Sequence, residues 1–201
     1  MSLESELLTL LSDLPSVIIS EAHLAQIITL YFQNETYDVY AEVPFEIESS
    51  FGDRGIKTYY VDLCLVKDQK VSLIELKFKT KSDLDRLKGH FLHEHLTFAY
   101  KNHKAVNLAT HSFWKDVVRL EEIKKKLHII SDCFSVFVSN DSCYFKRGKS
   151  KYNWLKVSIG NSEVFNGEYS FNAKESLKLE KNYRVKHIHG GNWKSSVVTV
   201  N

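Results

Sequence analysis

No run of about 18 apolar residues occurs in this chain, so no segment is long enough to cross a bilayer as a helix. The opening residues, MSLESELLTL, have neither the basic stretch nor the long apolar core of a secretory signal, and carry glutamates instead. A cytoplasmic location is the expectation. Cysteine is scarce: Cys64, Cys133 and Cys143 are an odd number at spacings that match no zinc signature, each in or beside a strand-like segment. They read as reduced structural thiols. Internal repeats and low-complexity linkers are missing too, so nothing divides the 201 residues into modules. One domain of that length buries a substantial core without disulfides or a metal staple. The composition, 43% hydrophobic and 26% charged, is that of a globular protein.

The net charge of +2 conceals an asymmetry. Residues 1–141 hold 16 Lys and Arg against 21 Asp and Glu, a balance of −5, whereas residues 142–201 hold 11 against 4, a balance of +7. A basic C-terminal third suits a polyanionic partner, and equally a solvated surface with none.

Residues 2–11 read as a short amphipathic helix that ends before Pro15, because proline disfavours helix in the residue ahead of it. Ser20 is a good N-cap for a second helix through EAHLAQIITLYF, whose apolar stripe of Leu24, Ile27, Ile28 and Tyr31 also takes in Glu21. YDVYAEVPFEIES reads as a strand and SSFGDRG as a turn or loop. KTYYVDLCLV, the turn KDQK and VSLIELKFK make a hairpin. Residues 82–104 and 110–126 look helical; HIISDCFSVFVS and SCYFK return to strand, and past Lys151 come short β-like pieces. The expected fold is α/β, a mixed central sheet flanked by helices, with a core at about 16–145 and a β-rich basic extension at about 146–201.

Alternation along the hairpin puts Asp62 on a face with Cys64, opposite Val61, Leu63 and Leu65, and puts Glu75 with Lys77, opposite Ile74, Leu76 and Phe78. If the two polar faces meet, two carboxylates and an ammonium converge. Such a pair is costly in a low-dielectric setting unless one is protonated or a cation lies between them. Mg²⁺ is usually held by one or two carboxylates plus waters and substrate phosphate. Lys77 would then stand where it orients a water or stabilises a phosphorane-like transition state.

The order D, twelve residues, then E-x-K on a hairpin resembles the signature of the PD-(D/E)XK nuclease superfamily. SEAHLAQIITLYF, YAEVPFEIE, YYVDLCLV, LIELKFKT, HSFWKDVVRLEE and FSVFVSND follow the layout of poorly characterised bacterial members, over roughly residues 20–145. Val61 stands where the name pattern has proline. The resemblance implies a restriction endonuclease-like core, Asp62 and Glu75 as ligands of Mg²⁺ (Mn²⁺ as a substitute) and Lys77 as the catalytic lysine. Glu21 or Glu42 would be an auxiliary acid. Asp116 and Arg119 would serve helix packing or phosphate contact. It implies a metal-dependent phosphodiesterase that forms no covalent intermediate, a DNA endonuclease in restriction, phage–host conflict or repair.

Plainer readings stand beside these. Asp62, Glu75 and Lys77 could form a cross-strand ladder on a solvent-facing side, Glu21 could be a first-turn acid favoured by the helix dipole, and Glu42 a surface acid. His90, His93, His95 and His103, and the H-x-H pair His187 and His189, lack an identifiable third zinc ligand. Arg147, Lys149, Lys151 and Lys156, interleaved with Tyr144, Tyr152 and Trp154, could meet phosphates and bases or cover a β-rich edge. The rival to an enzyme is a non-catalytic module that binds nucleic acid or protein; RNA is the other candidate substrate. One site in a chain this short cuts both strands only by acting twice or as a homodimer.

Overall fold

The structure, a computed structural model, describes residues 2–48, 56–81, 105–146 and 149–200. The expected SSFGDRG turn, the helix over 82–104 with its four histidines, and Arg147 lie outside the described residues.

Two helices come first, α1 (Leu3–Ser12) and α2 (Glu21–Asn34). Both start on a serine cap: Ser2 Oγ accepts from the Ser5 N–H at 3.2 Å, and Ser20 Oγ from the His23 N–H at 3.0 Å. Strands β1 (Asp38–Glu48), β2 (Ile56–Lys67) and β3 (Lys70–Lys79) follow, then α3 (Val106–Lys126) and β4 (Ile130–Ser139). The β2–β3 connection is a tight two-residue turn with Asp68 at φ 50° and Gln69 at φ 62°, the left-handed pair that matches strand twist in a hairpin. The rest of the chain adds β5 (Glu163–Val164), β6 (Gly167–Ser170), β7 (Ser176–Leu179), β8 (Tyr183–Gly190) and β9 (Trp193–Val200).

Seven strands form one sheet in the order β1-β2-β3-β4-β9-β8-β5, and β6 pairs with β7 separately. The β3–β4 pair is parallel and its connection includes α3; the other neighbours are antiparallel, so the sheet is mixed. Alternation divides β3 and β4 between two cores. Ile74, Leu76, Phe78, Val136 and Val138 pack with Leu11, Leu24, Ile28 and Phe32 of α1 and α2. Leu73, Cys133 and Phe137 pack with Phe113, Trp114, Val117 and Leu120 of α3. The result is an α/β protein with helices on both faces of the sheet. Among the described residues no helix is long and apolar enough to cross a membrane.

Two expectations need correction. SCYFK is not a strand: Ser142–Phe145 is a single 3-10 turn, because the Asp141 carboxylate accepts from the Cys143 N–H at 2.9 Å and turns the chain so that Tyr144 is fully buried. On β2, Val61 does not pack with Leu63 and Leu65; it joins the α3-side core with Cys64, while those two leucines join the other. The change of face falls at Asp62. The C-terminal third is β-rich and built into the main layer, since β9 pairs with β4 from Cys133–Val200 to Ser139–Lys194.

Candidate functional site

Strands β2 and β3 pair from Lys67–Lys70 up to Leu63–Ile74, where the ladder ends, while β3 continues beside β4 as far as Lys79–Ser139. On the other side of β2 the ladder to β1 is interrupted at the same level. Ala41–Leu63 and Val43–Val61 are paired, and Glu42 between them takes φ 52°, a left-handed backbone that side chains rarely adopt. The fork so formed leaves one edge of β3 without a strand, and its N–H groups still need acceptors. Two carboxylates supply them. Asp62 Oδ2 accepts from the Leu76 N–H at 2.6 Å, and Glu21 Oε2, from the first turn of α2, accepts from the Phe78 N–H at 2.7 Å.

Between these anchored acids, Glu75 and Lys77 point to the α3 face. Glu75 is 1% exposed, which removes the reading of a solvent-facing ladder. Helix α3 meets it with Asp116, 4% exposed, and Arg119, one turn apart among the buried Phe113, Val117 and Leu120. Arg119 Nη2 donates to Glu75 Oε1 at 2.5 Å and to Asp116 Oδ1 at 2.8 Å, and its guanidinium lies 5.8 Å from the Tyr59 ring. Lys77 Nζ is 2.9 Å from Asp116 Oδ2 and donates to the Leu76 carbonyl at 3.1 Å. The order of contact is Glu75, Arg119, Asp116, Lys77.

Four carboxylates, Glu21, Asp62, Glu75 and Asp116, thus face two fixed cations, Lys77 and Arg119. The surplus is felt most by Glu75: burial, then the charge of Asp116, push it up to about 9 against the pull of Arg119. Asp116 is raised by burial, although Lys77 and Arg119 oppose the shift. Burial also raises Glu21, countered by the Phe78 N–H and Lys77. For Lys77, burial works to lower the pKa, but Asp116 first, then Glu21 and Asp62, carry it above its ordinary value. Its ammonium is therefore charged at neutral pH.

Asp62, Glu75 and Lys77, expected together, are gathered at the fork with Glu21. Glu42 lies at the level of Asp62, in the gap between the Ala41–Leu63 and Val43–Val61 pairs, but its side chain is exposed, and among the described residues no hydrogen bond or ion pair joins it to the cluster. Arg119 sits on carboxylates within the cluster. Lys149 and Lys151 are exposed on the segment leading into the turn Asn153–Val157, with Lys151 Nζ 5.1 Å from the Tyr152 ring. His187 Nδ1 meets Ser196 Oγ at 2.9 Å, a packing role within the sheet. The part sequence reasoning underrated is the Asp116–Arg119 pair. Its signal was a D-x-x-R spacing that puts both groups on the apolar face of α3.

As donors for a metal, Asp62 and Glu75 are hard oxygen ligands from two facing strands. Among the described residues no three His, Cys, Asp or Glu side chains gather as a metal-holding group. Mg²⁺ takes one or two carboxylates and fills its remaining positions with water and phosphate, so a two-carboxylate set in a cluster with surplus negative charge fits its chemistry. It does not fit Zn²⁺, which asks for three or four protein ligands. No family model, no curated protein and no solved structure matches the chain.

Proposed function

We propose that this protein is a Mg²⁺-dependent phosphodiesterase with a restriction endonuclease-like core of the PD-(D/E)XK kind, and that it cleaves DNA. The observation that carries this reading is the convergence of Glu21, Asp62, Glu75 and Lys77 where β2 and β3 part, with Asp116 and Arg119 beside them, four carboxyl groups against two cations. Asp62 and Glu75 would hold the ion. When bound, a divalent cation polarises the phosphate and lowers the pKa of a coordinated water.

Lys77 acts as a charged donor in this scheme. With its pKa raised, it cannot serve as the base that removes a proton from water; it stabilises negative charge that develops on the phosphoryl oxygens. Asp116 fixes its position through the 2.9 Å contact. Glu21, tied to the β3 backbone, keeps α2 against the site and is the one of the two auxiliary acids bonded there. The basic balance of residues 142–201, with exposed Lys149 and Lys151, suits the polyanion. A homodimer would let one site per chain cut both strands.

A second reading has an observation of its own. Arg119 already occupies Glu75 Oε1, and a module that only binds nucleic acid or protein needs no metal. The two separate in one assay: cleavage of supercoiled plasmid and of labelled single-stranded DNA and RNA, with Mg²⁺ or Mn²⁺, by the wild type, Glu75→Ala and Lys77→Ala. The enzyme reading expects losses of at least ~10²-fold in each folded variant. Cleavage unchanged by both substitutions would refute the site; no cleavage of any substrate by the wild type would favour the module.

A further inference from the structure

The single bond that joins Arg119 to Glu75 has a chemical weakness. Arginine holds a carboxylate best through a fork of two parallel donors. Here one nitrogen, Nη2, serves both Glu75 and Asp116, and Nε is buried without a hydrogen-bond partner among the described residues. The Arg119 side chain is 22% exposed, and the Tyr59 ring, 5.8 Å from its guanidinium, offers a stacking surface. Glu75, at 1% exposed, cannot be left charged without a neighbouring cation.

We propose that Arg119 takes the place of the divalent cation on Glu75 in the metal-free protein, and that metal binding and release of Arg119 from Glu75 are one exchange. This rests on the reading of Asp62 and Glu75 as metal ligands. A cation entering between them competes for Glu75 with Arg119, which already occupies Oε1 and stands beside the ion as a like charge. The released guanidinium would remain tethered to Asp116 Oδ1 and would be free to donate to a bound phosphate. Arg119 thus weakens metal affinity in the absence of substrate and strengthens substrate affinity once metal is bound. The site assembles fully only with both.

The test is calorimetric titration of Mn²⁺ into the DNA-free protein, comparing wild type, Arg119→Gln, Arg119→Lys and Asp62→Asn, with melting temperatures for each. The exchange predicts Mn²⁺ affinity about tenfold tighter in Arg119→Gln, the scale of one lost charge-assisted competitor, and an intermediate gain in Arg119→Lys. It also predicts a lower metal-free melting temperature for Arg119→Gln with a larger Mn²⁺-induced rise, and weaker binding of duplex DNA measured in Ca²⁺. Should Arg119→Gln fail to fold, Arg119→Lys alone decides the sign. Equal or weaker Mn²⁺ affinity in the arginine variants, while the wild type binds Mn²⁺ and Asp62→Asn does not, overturns the exchange and leaves the metal site standing. Absence of millimolar Mn²⁺ binding by the wild type overturns both.

Discussion

Replacing Glu75 by glutamine should stabilise the metal-free protein at neutral and alkaline pH. The carboxylate lies at 1% exposure between Asp116 and Asp62, and burial with those like charges lifts it from the ordinary 4.5 to about 9. A carboxyl group whose folded pKa is raised binds a proton more tightly in the native than in the unfolded state. Its stabilising contribution is therefore complete below 4.5 and is lost as pH rises toward 9. Each pH unit between those values removes ~1.4 kcal/mol, so the step from pH 5 to pH 8 removes ~4 kcal/mol from the wild type. Glutamine keeps the shape and an oxygen that accepts from Arg119, yet does not titrate. The shifts of Asp116 and Glu21 act on both proteins, so the difference between the two stability curves isolates Glu75. Urea unfolding in chelator at pH 5, 6, 7, 8 and 9 measures it. The two should be nearly equally stable at pH 5, and the variant should lead by several kcal/mol at pH 8. A flat difference, or one in which the wild type gains as pH rises, would mean that Arg119 and Lys77 keep Glu75 ionised throughout. Burial and the charges of Asp116 and Asp62 would then not outweigh the two cations at Glu75.

Asp62 offers a cleaner separation of scaffold from chemistry. Asp62→Asn keeps an acceptor for the Leu76 N–H and should stay within ~1 kcal/mol of the wild type, whereas Asp62→Ala strands that donor and should cost ~1–3 kcal/mol; both should abolish metal-dependent cleavage. Urea midpoints beside the plasmid assay decide, and equal stability of the two variants would show that the bond contributes nothing. At the hairpin turn, Asp68 and Gln69 both hold left-handed backbones, so the pair Asp68→Asn with Gln69→Gly should raise stability by ~0.5–1.5 kcal/mol with activity unchanged. A fall in thermal midpoint would refute that account of the turn.

The legible parts of the fold were those set by neighbours in sequence. Ser20 could be read as a cap because a helix start needs an acceptor three residues before an N–H, and KDQK as a turn because apolar runs flank it on both sides. Glu75 and Lys77 could be put on one face because β3 keeps its alternation throughout, buried Ile74, Leu76 and Phe78 answering from the other. What stayed hidden depends on distant partners. The parting of β2 from β3 coincides with the continued pairing of β3 to β4 and with the left-handed Glu42 on β1; neither leaves a mark near Asp62 in the sequence. Strand β9 was faint for a related reason. Lying between β4 and β8, with Ser195, Ser196, Val197 and Val198 all buried, it has no exposed face and hence no alternation to read.

The four acids of the cluster differ in what the fold asks of them. Asp62 and Glu21 each satisfy a backbone N–H that the fork would otherwise leave unpaired, so even a protein that only binds a partner would have reason to keep an acceptor there. Asp116 holds two cations, and a scaffold with Lys77 and Arg119 inside it needs that carboxylate. Glu75 has the lesser duty, a single bond from an Arg119 that Asp116 also holds. It caps no backbone group among the described residues. Its charge is opposed by burial and by two neighbouring carboxylates, and an apolar residue at the centre of β3 would join the α3-side core formed by Leu73 and Phe113. A side chain whose charge burial and two carboxylates oppose, where β2 and β3 part, is best accounted for by a ligand that favours that charge when it arrives, and a divalent cation with its phosphate does so.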